Sequence, residues 1–239
     1  MPLRDDEIER ILVVTAHPDD VDFGVAGSVA TWTDRGIEVS YCIVTDGDAG
    51  GFDPDVPRSE IAGIRRAEQT AAAEVVGVTD LTFLGHPDGR LAPSIELRRD
   101  ISRVIRRVRP QRVVTQSPER NYQRIYASHP DHLATGEATL CAVYPDARNP
   151  FAHPELMEEG FDAWTVPEVW LMAASTGDRF VDITQTIDRK VKALLCHVSQ
   201  MTNPDGMDEL MRGWGAANAQ AAGFAEGSYA ESFQRVATG

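Results

Sequence analysis

Apolar side chains run without interruption through Ile11–Val14 of the stretch RILVVTA, residues 10–16. A strand that is apolar on both faces must be covered on both, which is the signature of a central parallel strand. The period then changes. Residues 22–35 carry apolar positions at helical spacing and stop at Gly36, a residue suited to a helix end. IEVSYCIVT (37–45) predicts a second strand, LTFLG (81–85) a third and RVVTQ (112–116) a fourth. Between them, the alanine-rich stretch 58–76 predicts a helix closed by Gly77, and SIELRRDISRVIRRVRP a basic amphipathic helix stopped by Pro110. Another helix is expected from about His132 to Tyr144, and a late one in IDRKVKALLCHVSQ (187–200). EVWLMAA and FVDIT read as late strands. The proline-rich stretch 145–167 reads as a long loop, a lid or an edge insertion. From about residue 200 onward the small, glycine-rich chain shows no assignable period.

Strands alternating with helices predict an α/β fold: a Rossmann-like, doubly wound, mostly parallel sheet with helices on both faces. Ligands of such sheets bind at the carboxyl ends of the strands. With no repeat, low-complexity tract or linker, residues 1–239 read as a single domain, long enough to bury one sizeable core. Thirty-seven acidic against 23 basic residues give a net charge of −14, which argues against nucleic acid and anionic lipid as partners. The opening MPLRDDEIER lacks the apolar core of a signal peptide, and Ile11–Ala16 is too short to span a membrane. Cys42, Cys141 and Cys196 lie far apart among apolar neighbours, as expected of buried free thiols in a reducing cytoplasm.

Chemistry concentrates at two strand ends. HPDD (His17–Asp20) follows the first strand and SHPDH (Ser128–His132) the fourth. On neighbouring strands these clusters would face each other. His17 and Asp20, three apart, can point the same way if the turn opens a helix, and His132 completes a three-ligand N/O set. Two histidines and a carboxylate, with a fourth position open, is the pattern of a catalytic rather than a structural zinc site. A plainer reading stays open at this point. Four histidines (His17, His86, His129, His153) precede proline, so one HPDD can be a satisfied turn with Asp19 capping the next helix.

AHPDDVDFGVAGSVA together with SHPDHLATGEA resembles the PIG-L/LmbE family of zinc-dependent N-deacetylases. TDGDAGG, IRRAEQTAAAEVVGV, LGHPDGRL, HVSQ and the ending YAESFQRV are similar to further family motifs, so the likeness covers most of the chain. The resemblance implies an LmbE-like fold, with His17, Asp20 and His132 as zinc ligands. It makes Asp19 the general base, His129 the group that stabilises the oxyanion, and Asp131 the support of a histidine in its own motif. Asp48, Arg65 and Asp88 fall where relatives contact substrate. The implied reaction is removal of an N-acetyl group from a small amino-sugar compound by an activated water. Amidase action on a thiol conjugate or antibiotic intermediate, and occupation by Fe(II), Co(II) or Mn(II), remain open, as does homo-oligomer assembly.

Other features carry bland expectations. Asp48 stands where many relatives have glutamate, and Ala127 where some have a mobile tyrosine, with Tyr126 beside it read as a packed aromatic. Arg98, Arg99, Arg103, Arg106 and Arg107 are expected to form a solvated face. Trp164, Trp170 and Trp214 are expected to pack in the core or a lid, and His197 and Gln200 to satisfy the core. Rival functions are a nucleotide-binding module, which the carboxylates of HPDD disfavour, and a metal-binding regulator without catalysis.

Overall fold

The computed structural model describes residue 3 and residues 7–238. Its elements in chain order are β1 (Arg10–Thr15), α1 (Asp20–Gly24), α2 (Ala26–Asp34), β2 (Glu38–Thr45), α3 (Arg58–Val75), β3 (Asp80–His86), α4 (Ile95–Val108) and β4 (Arg112–Gln116), then α5 (Pro130–Cys141), α6 (Pro154–Glu158), β5 (Glu168–Met172), β6 (Arg179–Asp182), α7 (Ile187–Leu194), α8 (Met207–Ala222) and β7 (Ala230–Ala237). The strands form one sheet in the order β3-β2-β1-β4-β5-β7-β6. β3 to β5 pair in parallel. β7 runs antiparallel to both β5 and β6. The chain has the expected α/β architecture, and its strand order reverses between β1 and β4.

Alternation along β1 explains the two layers. Ile11 and Val13 enter one apolar cluster with Val29 of α2 and Ala72 and Ala73 of α3. Leu12 and Val14 enter the other with Leu97, Ile101 and Ile105 of α4 and Ala138 of α5. A strand buried on both sides therefore needs the unbroken apolar run found in its sequence. Among the described residues no helix is long and apolar enough to cross a membrane.

Several expectations need correction. The helix expected over 22–35 is two helices, because Val25 takes a non-helical conformation between α1 and α2. Gly24 lies so close to Met172 that a Cβ would fall 2.4 Å from its sulfur, so the turn presses against the end of β5. The stretch 145–167 is not a free loop but contains α6 and is stitched down by α4. Arg106, 1% exposed, donates to the carbonyls of Asp146, Ala147, Asn149, Ala152 and Phe161. Arg98 forks onto Asp146 at 2.8 and 2.9 Å. Arg106 belongs to the interior rather than to a solvated face, since guanidinium donors can satisfy carbonyls that no regular element pairs, while Arg98 stays partly exposed with its head on Asp146. Of the thiols only Cys42 is buried; Cys141 and Cys196 are partly exposed, and all three are free.

Candidate metal centre

Parallel pairing of β1 with β4 brings the HPDD turn against the start of α5. Gln116, the last residue of β4, accepts the Ala16 N–H at 3.0 Å and ties the two strand ends together. α1 begins at Asp20, whose carboxylate folds back to accept the His17 N–H at 2.7 Å. Four ligand-capable atoms from three residues then converge. His17 Nδ1 lies 3.2 Å from Asp20 Oδ2. His132 Nε2 lies 3.0 Å from Asp20 Oδ1 and 3.3 Å from His17 Nδ1. Donors bonded at about 2.1 Å to one tetrahedral ion stand about 3.4 Å apart, so this donor set fits a divalent cation.

The other nitrogen of His17 faces away. Its Nε2 lies 3.0 Å from Asp88 Oδ1 and 3.3 Å from Asp131 Oδ2. His17, Asp88 and Asp131 thus also cluster, as do His17, His129 and His132. The Asp88–Asp131 pair is already engaged, accepting backbone N–H groups of Ala49, Gly89 and Leu91. A histidine gripped on one nitrogen by carboxylates and offering the other inward has the arrangement usual around metals. Asp131 therefore turns its carboxylate to His17 and the 88–91 loop, not to a histidine of its own motif. Its backbone N–H instead donates to His129 Nδ1 at 3.2 Å.

Asp19 points elsewhere. Its side chain caps no helix, which removes the plainer reading of HPDD. The carboxylate accepts from Arg65 Nη2 at 2.9 Å. Arg65 also donates to the carbonyls of Pro18 at 2.5 Å and Gly47 at 3.2 Å. Of the expected site residues only Asp20 and His132 line the cavity described below; His17, Asp19, His129, Asp131, Asp48, Arg65 and Asp88 do not. Arg65 holds Asp19, Asp88 holds His17, and Asp48 accepts from the Asp88 N–H and from Arg58 Nε.

The charges explain what the cluster needs. Burial alone would lower the His17 pKa, but the Asp20 charge and hydrogen bonds to Asp131, Asp20 and Asp88 push it up to about 12. Burial pushes the Asp19 carboxyl up to about 6 against the opposing pull of Arg65. Burial and the charges of His17 and His132 lower His129. A cluster this rich in carboxylates calls for positive charge, which a cation supplies.

A cavity of about 420 Å³ opens on Asp20 and His132. Phe23, Met172, Ile183 and Met211 line its wall, and Arg124, Tyr126 and Trp214 also face it. Tyr126 is 63% exposed, so it is not the packed aromatic expected, and Trp214 likewise belongs to the cavity. Trp170 packs in the core, and Trp164 donates its Nε1–H to the Pro110 carbonyl.

A supporting network lies behind the turn; of its members His197 was expected to satisfy the core, while Gln69 and Asp22 were not singled out. Gln69 accepts the Asp19 N–H at 2.8 Å and donates to Asp22 Oδ2 at 2.9 Å. The same oxygen meets His197 Nε2 at 2.8 Å in the interior. Gln69 stands one helical turn beyond Arg65 on α3, a spacing that could have marked a shared face.

Comparison with known proteins gives the family. Residues 12–143 match PIG-L, described as GlcNAc-PI de-N-acetylase. The diacetylchitobiose deacetylase of Thermococcus kodakarensis is 32% identical over 204 residues, covering 85% of this chain and 74% of that protein. The structure of the N,N'-diacetylchitobiose deacetylase from Pyrococcus horikoshii superposes with a TM-score of 0.88 at 28% identity, covering 97% of this chain and 85% of that one. The 4-carboxy-2-hydroxymuconate hydratase GalB from Pseudomonas putida superposes with a TM-score of 0.79 at 22% identity, covering 97% of both chains, which shows a shared fold alone.

Proposed function

The chain belongs to the PIG-L family, and from that premise we propose that it hydrolyses the acetamide of an N-acetylated amino sugar with a divalent metal, zinc in the first instance. The observation that carries this reading is the convergence of His17 Nδ1, Asp20 and His132 Nε2 within 3.3 Å of one another, with an unligated carboxylate, Asp19, next in sequence. His17, Asp20 and His132 would hold the cation. When bound, it supplies Lewis acidity that brings the pKa of water toward about 7.

The remaining work falls to the chain's own groups. Asp19, held by Arg65, accepts the proton of the water as its oxygen bonds to the acyl carbon. His129 accepts at Nδ1, so its neutral form carries the proton on Nε2 and donates to the carbonyl oxygen as negative charge develops there. As the C–N bond breaks, Asp19 returns its proton to the nitrogen. Acetate and a free amine leave. The relatives above that act on diacetylchitobiose support an amino-sugar substrate. The nucleotide-binding alternative finds carboxylates where a pyrophosphate would lie.

Protein purified without chelator should carry about one divalent ion per chain and release acetate from N-acetylglucosamine or N,N'-diacetylchitobiose. Asp19→Asn should keep the metal and lose turnover by about 10²–10⁴-fold. Unchanged turnover in that variant overturns the base assignment.

A further inference from the structure

The proposed base is held at two points, and the hold on its backbone comes from a buried amide. Asp19 sits at φ 89° and ψ −30°, in the left-handed region that a residue bearing a Cβ adopts only under restraint. Arg65 grips its carboxylate at 2.9 Å. The restraint on its N–H is Gln69, whose Oε1 accepts at 2.8 Å. That N–H lies outside the ladder of α1, which opens with Asp22 and Phe23 donating to the Asp19 carbonyl. Fixing it fixes the peptide plane from which the Asp19 side chain departs.

Gln69 is itself left no freedom. Its Nε2 donates to Asp22 Oδ2 at 2.9 Å, and the same oxygen meets His197 Nε2 at 2.8 Å. Gln69, Asp22 and His197 are all fully buried. A backbone N–H only donates and a carboxylate oxygen accepts, so the two neighbours dictate which end of the amide faces which. One position earlier on α3, Glu68 accepts the N–H and the hydroxyl of Ser199, both at 2.7 Å. The turn that carries His197 is thereby fastened to the same helix that carries Arg65 and Gln69. Gln69 does not line the cavity and bonds to none of His17, Asp20 and His132.

We propose that Gln69, braced by Asp22 and His197, is a positioning residue for Asp19: it holds the left-handed backbone that aims the carboxylate, as Arg65 holds the charge. The proposal rests on the deacetylase reading and adds to it a residue that reaches the reaction only through Asp19. Without Gln69 the backbone at Asp19 relaxes and the carboxylate turns with it.

The test is Gln69→Met in the full-length, metal-loaded protein, since methionine keeps the volume and removes both bonds. With N,N'-diacetylchitobiose, kcat should fall about 10–100-fold, the scale of an ångström-sized misplacement. KM should stay within about twofold, and metal content should match the parent. Val104→Ala, a truncation in the other layer of the core, lowers the denaturant midpoint and should leave kcat alone. The double variant Asp19→Asn with Gln69→Met should be no slower than Asp19→Asn, because a residue acting only through the base has nothing left to lose. Near-parental kcat in Gln69→Met, losses that multiply in the double variant, metal lost along with turnover, or equal slowing by Val104→Ala overturns the proposal. Absence of acetate release by the parent would instead overturn the deacetylase reading. The geometry is then decided by hydrogen exchange of the Asp19 amide, followed by NMR. Exchange should be about tenfold faster or more in Gln69→Met, and equal rates in the two proteins overturn the role of Gln69.

Discussion

Replacing Arg65 with methionine isolates the support of the proposed base. Arg65 is 4% exposed and holds three acceptors at once: Asp19 Oδ2 at 2.9 Å, the Pro18 carbonyl at 2.5 Å and the Gly47 carbonyl at 3.2 Å. Methionine fills a comparable volume, so the loss comes from the bonds and not from a void. Removing one partner of a buried ion pair costs about 3–5 kcal/mol. The Asp19 side chain keeps 17% exposure, which lets water recover part of that and places the expected loss near ~3 kcal/mol. Turnover should fall about 100-fold or more, because a base free to swing away forfeits most of a contribution worth 10²–10⁴. Metal content should not change, since Arg65 touches none of His17, Asp20 and His132. Arg65→Lys should lie between, keeping the charge but unable to reach all three acceptors in one plane. The assays are acetate release, denaturant unfolding and elemental analysis. Near-parental turnover in Arg65→Met, or loss of metal along with turnover, refutes the argument.

Three further outcomes are expected. His17→Ala should purify without metal, and chelation of the parent should lower its Tm; re-adding metal to 100 times its Kd should restore about 2.7 kcal/mol, whereas a Tm indifferent to chelator would contradict the ligand set. Asp131→Ala should weaken metal affinity about 10–100-fold by freeing His17 Nε2, measured by competition with a chelating dye; unchanged affinity would make Asp131 a loop anchor only. His197 gives a pH dependence. Burial alone would lower its pKa, but the hydrogen bond and charge of Asp22 raise it above 6.5. A raised folded-state value means the pair's stabilisation is fully present below pH 6.5 and fades as pH rises through that folded value. The stability gap between the parent and His197→Asn should therefore narrow toward alkaline pH; a gap constant with pH would show that the charge of His197 contributes nothing.

The first His/Asp cluster was legible because it directly follows an apolar run, whereas residues 117–127 separate the second from its strand, and it was the alternation of strands and helices that placed both at one end of the sheet. Their mutual distance was not legible, since it depends on β1 and β4 being neighbours. α8 escaped detection although its buried face repeats every four residues, through Met207, Met211, Gly215 and Ala219. Glycine and alanine bury well but carry little apolar signal, so the stripe does not stand out against the small residues around it. Arg106 was misplaced for a related reason: an arginine that satisfies buried carbonyls has the same polar character as one in water. The resemblance that made Arg65 an expected substrate contact likewise said nothing of its bond to Asp19, which only the packing of α3 against the HPDD turn brings about.

Adjacent aspartates can serve separate ends only if their side chains diverge, and the backbone at Asp19 makes them do so. Its φ of 89° and ψ of −30° place a non-glycine residue in the left-handed region, at a cost of about 1–2 kcal/mol. The Asp19 N–H bond to Gln69 and the grip of Arg65 on both Pro18 and Asp19 offset that cost. The Asp19 carbonyl then accepts from Asp22 and Phe23 to open α1, so Asp20 folds back on His17 while Asp19 faces Arg65. Asparagine and aspartate tolerate this region better than other side chains. Asp19→Asn thus removes the charge while keeping the turn, so stability and metal content should hold as turnover collapses. Asp19→Ala removes the charge and adds strain of about 1 kcal/mol, visible as a lower denaturant midpoint at equal loss of activity. Identical stability of the two variants would mean that the turn, and not the residue in it, sets the geometry.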